Sequence, residues 1–176
     1  NQNFVEYMKD SVWTELNMKN TALDTSTVIN KNEARYYQTK ISNGDFIPSV
    51  KVRDRSFLFG AGGFVSTPTD LVKMSNAFFK QEFLSEQTKK DIFTPTKLEN
   101  GKMTPRKYAL GWRTQSRSEV MIDGKKLDVA HHGGVTDNAA TSYILLVPEY
   151  KAAIAFTTNI VPEKFWQIRT KLGATL

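Results

Sequence analysis

The stretch Thr141-Ser142-Tyr143-Ile144-Leu145-Leu146-Val147-Pro148-Glu149-Tyr150-Lys151-Ala152-Ala153-Ile154-Ala155-Phe156-Thr157-Thr158 decides the fold class. Thr141–Val147 and Ala152–Thr158 are apolar runs rich in β-branched and aromatic residues, and Pro148-Glu149-Tyr150-Lys151 between them has the chemistry of a turn, so the stretch reads as a β-hairpin. On its N-terminal side, Tyr108–Thr114, Glu119–Ile122 and Leu127–His132 read as further short strands. The last two are joined through Asp123-Gly124, a favoured hairpin pair. On the C-terminal side, Pro162 suits the first turn of a terminal helix with Phe165, Trp166, Ile168 and Leu172 as its buried stripe.

Further upstream the period changes from two to about four. Phe4, Met8, Val12 and Leu16, with Val5 and Trp13 beside them, predict an amphipathic helix over about 3–16. Residues 22–56 are polar and irregular, with Asn43-Gly44-Asp45 as a turn and Ile47-Pro48 as an extended step, and predict a long loop. Next, Gly60-Ala61-Gly62-Gly63 precedes a marked helix start: Thr67 as cap, Pro68 at the first position, and Asp70 placed to answer the cap N–H. Leu71, Met74 and Phe78 carry that helix to about residue 80. A second short helix follows Ser85, turns Ile92 and Phe93 inward and ends at Pro95. The predicted architecture is α+β, an antiparallel sheet flanked by helices, in one domain over 1–176: residues 1–107 mainly helix and loop, 108–176 strands plus the terminal helix.

Composition narrows the function classes. Of 176 residues, 40% are hydrophobic and 20 are Phe, Tyr or Trp (11, 6 and 3), which is enough large apolar surface to offset the ordering entropy that keeps polar chains unfolded. No apolar run reaches the roughly 18 residues of a membrane span. With no Cys there is no disulfide, cysteine zinc site or thiol nucleophile. The net charge of +6 is scattered, with short basic pairs such as Lys89-Lys90 and Lys125-Lys126 close to an acid, Asp91 or Asp123, so no nucleic-acid surface is indicated.

Few residues can do chemistry. The histidines are His131 and His132, adjacent on a predicted strand, where successive side chains point to opposite faces and cannot easily share a metal ion. No metal or other cofactor is expected. Gly-x-Ser-x-Gly, the phosphate-loop motif and the dinucleotide fingerprint are all missing, and Gly60, Gly62 and Gly63 read as turn geometry.

Five pieces in a fixed order nonetheless carry a resemblance: Leu16-Asn17-Met18-Lys19-Asn20-Thr21, Gly62-Gly63-Phe64-Val65-Ser66-Thr67-Pro68-Thr69-Asp70-Leu71, Tyr108-Ala109-Leu110-Gly111-Trp112, His131-His132-Gly133-Gly134 and Ile144-Leu145-Leu146-Val147-Pro148-Glu149. Together they resemble the serine β-lactamase/penicillin-binding protein family, in its class C β-lactamase, DD-peptidase and esterase branch. The resemblance implies the C-terminal part of a β-lactamase/transpeptidase-like fold and an acyl-enzyme hydrolase of β-lactam, peptide or ester substrates. It places His131 at the Lys or His of the strand that walls the cleft, His132 and Gly133 along bound substrate, and Gly134 where a main-chain N–H completes the oxyanion hole. His131 and Gly134 are thus candidate catalytic residues, and all four are candidate substrate contacts.

Two family elements, Ser-x-x-Lys and Tyr-x-Asn, do not occur in these 176 residues. The expectation is therefore a C-terminal half, inactive alone, whose partner is the N-terminal fragment of the same protein or a second copy covering the edge of Ala152–Thr158. Val135–Ala140 is also longer than the family's turn after the oxyanion strand and lacks its glycine. A non-catalytic family member acting in binding or assembly is the alternative. Periplasmic or extracellular location follows from the resemblance.

Overall fold

The computed structural model describes residues 2–25, 32–42, 45–48, 54–80, 82–114, 120–122, 124–136, 140–161 and 164–174. Helix α1 (Phe4–Met8) is capped by Asn3, whose side chain accepts from the Val5 amide at 2.9 Å. It continues as a π-helical segment over Lys9–Thr14, and the wider turn changes which residues face inward. Trp13 is 7% exposed, whereas Phe4, on the predicted stripe, is 45% exposed.

Residues 22–56 are more regular than their composition suggests. They contain β1 (Ala22–Leu23), β2 (Tyr37–Ser42) and β3 (Asp45–Pro48), and β2 and β3 pair antiparallel with Ser42 opposite Asp45. This corrects the expected loop: the Asn-Gly pair was a hairpin signal, hidden because Tyr37–Ser42 is mostly polar and the apolar run after the turn is short and ends in Pro48. Asn43 and Gly44 themselves lie outside the described residues. Strand β1 pairs with β4 (Phe64–Val65), Leu23 opposite Phe64.

Helix α2 (Pro68–Ala77) starts where predicted, and α3 (Glu86–Phe93) is capped by Ser85, whose hydroxyl accepts from the Thr88 amide at 3.1 Å. The strand expected over Tyr108–Thr114 is instead a tight turn. The Ala109 N–H reaches the Trp112 carbonyl at 2.7 Å, Gly111 takes φ 81°, and only single bridges join Tyr108 to Arg113 and Arg113 to His131. Leu110-Gly111 supplies the left-handed position that such a reversal requires.

Strands β5 (Met121–Ile122) and β6 (Lys125–Lys126) form a short hairpin about Asp123-Gly124, of which Asp123 is outside the described residues. A three-stranded sheet follows in the order β7 (Ala130–Thr136), β8 (Ala140–Val147), β9 (Ala152–Thr158). The predicted β8–β9 hairpin is present, with a 3-10 turn over Pro148–Tyr150 and Lys151 left-handed at φ 49°. Helix α4 spans Phe165–Gly173, and the Pro162 expected to open it lies outside the described residues.

The chain forms two compact units interleaved along the sequence. The first comprises Asn1–Lys73, Gly134–Ser142 and Phe156–Glu163. Its aromatic contacts run from Phe59 through Phe4 to Phe64 and Trp13, with the Trp13 and Phe64 rings 5.1 Å apart and nearly perpendicular. The second comprises Met74–Gly133, Tyr143–Ala155 and Lys164–Leu176. There Val120, Leu127, Leu145, Leu146 and Val147 are all at most 2% exposed. Phe78, Phe93 and Trp112 pack beside one another with ring centroids 5.5 to 5.8 Å apart.

Candidate active-site strand

Strand β7 carries the four residues singled out in the sequence. In the second unit, His131 is 1% exposed, its ring 5.8 Å from that of Tyr143, and its backbone N–H and carbonyl both bond Arg113 at 3.0 Å. His132, on the opposite face as strand alternation demands, is half-buried. Its Nε2 lies 2.6 Å from the Tyr108 hydroxyl, with the two rings perpendicular. Burial, and then the positive charge of Arg113, hold the His132 imidazole below its ordinary value. The contact fits the hydroxyl donating to an imidazole protonated on Nδ1 and equally an Nε2–H donating to the phenol oxygen; either way it fixes the ring's orientation.

In the first unit, Gly134 is exposed, and a side chain added there would meet only the Ser142 hydroxyl, at 3.5 Å. Two residues on, Thr136 lines a cavity of about 510 Å³ together with Ser66, Thr67, Thr141, Ser142 and Thr158. Hydroxyl groups tie its wall together: Thr141 and Thr158 meet at 2.6 Å, and Thr158 donates to the Ile160 carbonyl. Asp24, 5% exposed, and Arg55 add an ion pair at 3.6 Å to the same lining. The cavity therefore offers several donors and acceptors beside apolar surface from Phe64, Val65 and Pro68.

The glycine-rich segment serves packing, as the turn reading anticipated. A Cβ on Gly63 would fall 2.8 Å from both the Arg55 carbonyl oxygen and the Phe59 amide nitrogen, so the backbone can approach only with glycine there. At the start of α2 the Thr67 hydroxyl accepts from the Asp70 amide at 3.3 Å, as predicted. The Asp70 carboxylate, however, turns away from the expected cap bond. Fully buried, it accepts from the Asn20 amide at 2.7 Å, the Thr21 hydroxyl at 3.2 Å and the Lys73 ammonium at 2.9 Å. Lys73 also donates to the carbonyl of Asn17, which is left-handed at φ 55°. Burial alone would raise the Asp70 carboxyl, but the bonds from Lys73, Asn20 and Thr21 outweigh it and hold the group below the usual range.

Tyr108 and Arg113 were not assigned roles from the sequence. The signal was present in the Tyr108–Trp112 motif, but the reversal at Leu110-Gly111 that brings Tyr108 to His132 was read as an extended strand. Asp24 and Arg55 fell within the expected loop. Among the described residues, no three His, Asp or Glu side chains gather closely enough to hold a metal ion, and no helix is long and apolar enough to cross a membrane.

A sequence model of the Beta-lactamase family matches residues 1–174, and the chain belongs to that family. It is similar to the bovine (Bos taurus) serine beta-lactamase-like protein LACTB, mitochondrial, at 26% identity over 90% of this chain and 31% of that protein. The chain thus spans about a third of the length of the curated relatives it matches. In fold it is similar to the D-amino acid amidase of Ochrobactrum anthropi, with TM-score 0.72 and 19% identity over 99% of this chain and 52% of that one. The penicillin binding protein of Bacillus halodurans gives TM-score 0.70 and 17% identity over 99% and 50%. The α+β architecture is accordingly that of β-lactamase/transpeptidase-like proteins.

Proposed function

We propose that this chain is the C-terminal portion of an acylating serine hydrolase and supplies the strand wall that binds the acyl group. The observation that carries the reading is the family match over nearly the whole chain. The exposed Gly134 edge beside a hydroxyl-lined cavity supports it. In the proposed reaction a serine hydroxyl from polypeptide outside residues 1–176 attacks the acyl carbonyl of a β-lactam, peptide or ester. As the C–O bond forms, negative charge collects on the carbonyl oxygen, and the Gly134 N–H stabilises it. Collapse expels the amine or alkoxide leaving group, which takes up the proton lost by the serine, and water then hydrolyses the acyl-enzyme.

His132, half-buried and hydrogen-bonded to Tyr108, is the imidazole of the pair suited to touch substrate. Gly133 leaves room beside it. His131, 1% exposed, acts by fixing the strand against Arg113 and through the hydroxyl network of the assembled site. The partner that completes the site is the N-terminal part of the same protein, with a second copy as the other arrangement. A periplasmic or extracellular location is part of the same reading, to be set against the mitochondrial description of the LACTB relatives.

Labelling with a fluorescent penicillin and a fluorophosphonate, followed by peptide mapping, tests this. The expected result is a labelled serine in the full-length protein outside residues 1–176, and no labelling of the 176-residue chain alone. A labelled residue within 1–176 overturns the division of labour. A full-length protein that lacks Ser-x-x-Lys and takes no label makes the chain part of a non-catalytic binding or assembly protein.

A further inference from the structure

We infer that the second unit carries a binding site for an apolar carboxylate, a small monoanionic amphiphile whose hydrocarbon body lies on Phe78, Phe79 and Phe93 and whose charged end meets Lys90 and Lys151. These residues line a groove of about 620 Å³ between α3 and the β8–β9 turn. That volume falls within the roughly 300–1,000 Å³ of small-molecule sites.

Its floor is preformed. Phe78 and Phe93 lie 5.6 Å apart and both pack on Trp112, so the apolar surface needs little ordering when a ligand arrives. The rim is cationic. Lys89 is already engaged, its ammonium 2.7 Å from Glu86 and its side chain only 12% exposed. Lys90 and Lys151 are exposed and, among the described residues, have no ion-pair partner. Lys151 stands at a fixed place, in a left-handed turn closed by its own N–H on the Pro148 carbonyl at 3.1 Å.

Aromatic rings beside two unneutralised ammonium groups favour a ligand that is apolar at one end and anionic at the other. A neutral hydrocarbon would leave both charges unanswered, and an apolar cation would be repelled. Size and charge pattern also point to a single small anion rather than a lipid surface: the groove offers two unpaired ammonium groups, while Glu86 in its lining is answered by Lys89 and Glu149 in the turn by Lys125.

The test is an amide-resolved NMR titration of the full-length protein with sodium octanoate, octanamide and octylammonium, read at Thr94, Lys151 and the Trp112 indole N–H. Octanoate is expected to shift these signals saturably, octanamide to bind about tenfold more weakly, and octylammonium not to bind there. The double substitution Lys90→Ala/Lys151→Ala, on exposed side chains, should weaken octanoate about tenfold with circular dichroism unchanged. Equal affinity for octanoate and octanamide, an unchanged affinity in the double variant, or no saturable shift overturns the proposal. So does binding of mixed phosphatidylcholine/phosphatidylglycerol vesicles through Lys90 and Lys151 without any response to octanoate, which would make the groove a membrane-contact surface.

Discussion

The two units bury different kinds of group. Beside its aromatic contacts, the first buries a carboxylate, Asp70, satisfied by a backbone amide, a hydroxyl and an ammonium. The second packs three aromatic rings, Phe78, Phe93 and Trp112, against one another. The apolar cluster needs only volume and shape, so several side chains could serve it. The ionic one needs every donor in place, because an unanswered buried charge costs more than the intact arrangement contributes.

Three substitutions put that contrast to the test. The largest effect is expected for Trp112→Ala: truncating a side chain that is 7% exposed should cost roughly 4 kcal/mol in urea unfolding, and because the indole does not titrate that loss should be the same at acid and neutral pH. A loss that varies steeply with pH would show that a titrating group is coupled to the ring cluster.

Asp70→Ala comes next, at roughly 3 kcal/mol, because it strands the Asn20 amide, the Thr21 hydroxyl and the Lys73 ammonium. The folded-state value of Asp70 lies below the ordinary 3.8, so its contribution is complete above that value and disappears as pH falls through the folded one. The variant should therefore lose the acid limb of stability that the natural chain shows. Unfolding curves for the two proteins that stay parallel down to the acid limit would contradict this account of the first unit.

The smallest effect belongs to Tyr108→Phe, which removes one neutral, half-buried bond and should cost about 1 kcal/mol. Its second readout matters more. Burial and Arg113 depress His132, so its titration, followed by histidine NMR, should stay below 6.5 in the variant. Since the folded value is depressed, the stability tied to neutral His132 is full above 6.5 and is lost as pH falls from there toward the folded value. A titration that returns to 6.5 on loss of the hydroxyl would mean that Tyr108, rather than burial and Arg113, depresses it.

The readings made from sequence fared according to how local their causes were. The β8–β9 hairpin, the Ser85 cap and the start of α2 were legible because the residues that form them are neighbours in the chain. The strands inside residues 22–56 were not, because they are short or carry no clear alternation of polar and apolar residues. Asp70 was rightly placed at a helix start but assigned the wrong partner. Its donors at Asn20 and Thr21 lie about fifty residues away, and nothing in the local pattern announces them. The same holds for Tyr108 and His132, 24 positions apart. Strand periodicity put the two histidines on opposite faces, yet which one would be sealed depended on tertiary packing around Tyr143 and Arg113.

The π-helical segment over Lys9–Thr14 bears on how the chain can change length. Such a segment holds more residues per turn than an α-helix needs, so removing Ser11 would let the backbone close into ordinary α geometry. Because the wider turn and the extra residue disappear together, Phe4 and Tyr7 would keep nearly the same direction relative to Trp13 instead of swivelling by the roughly 100° that one residue spans in an α-helix. The segment would thus act as slack in the chain, able to give up a residue without re-aiming the exposed aromatic side chains at the N-terminal end.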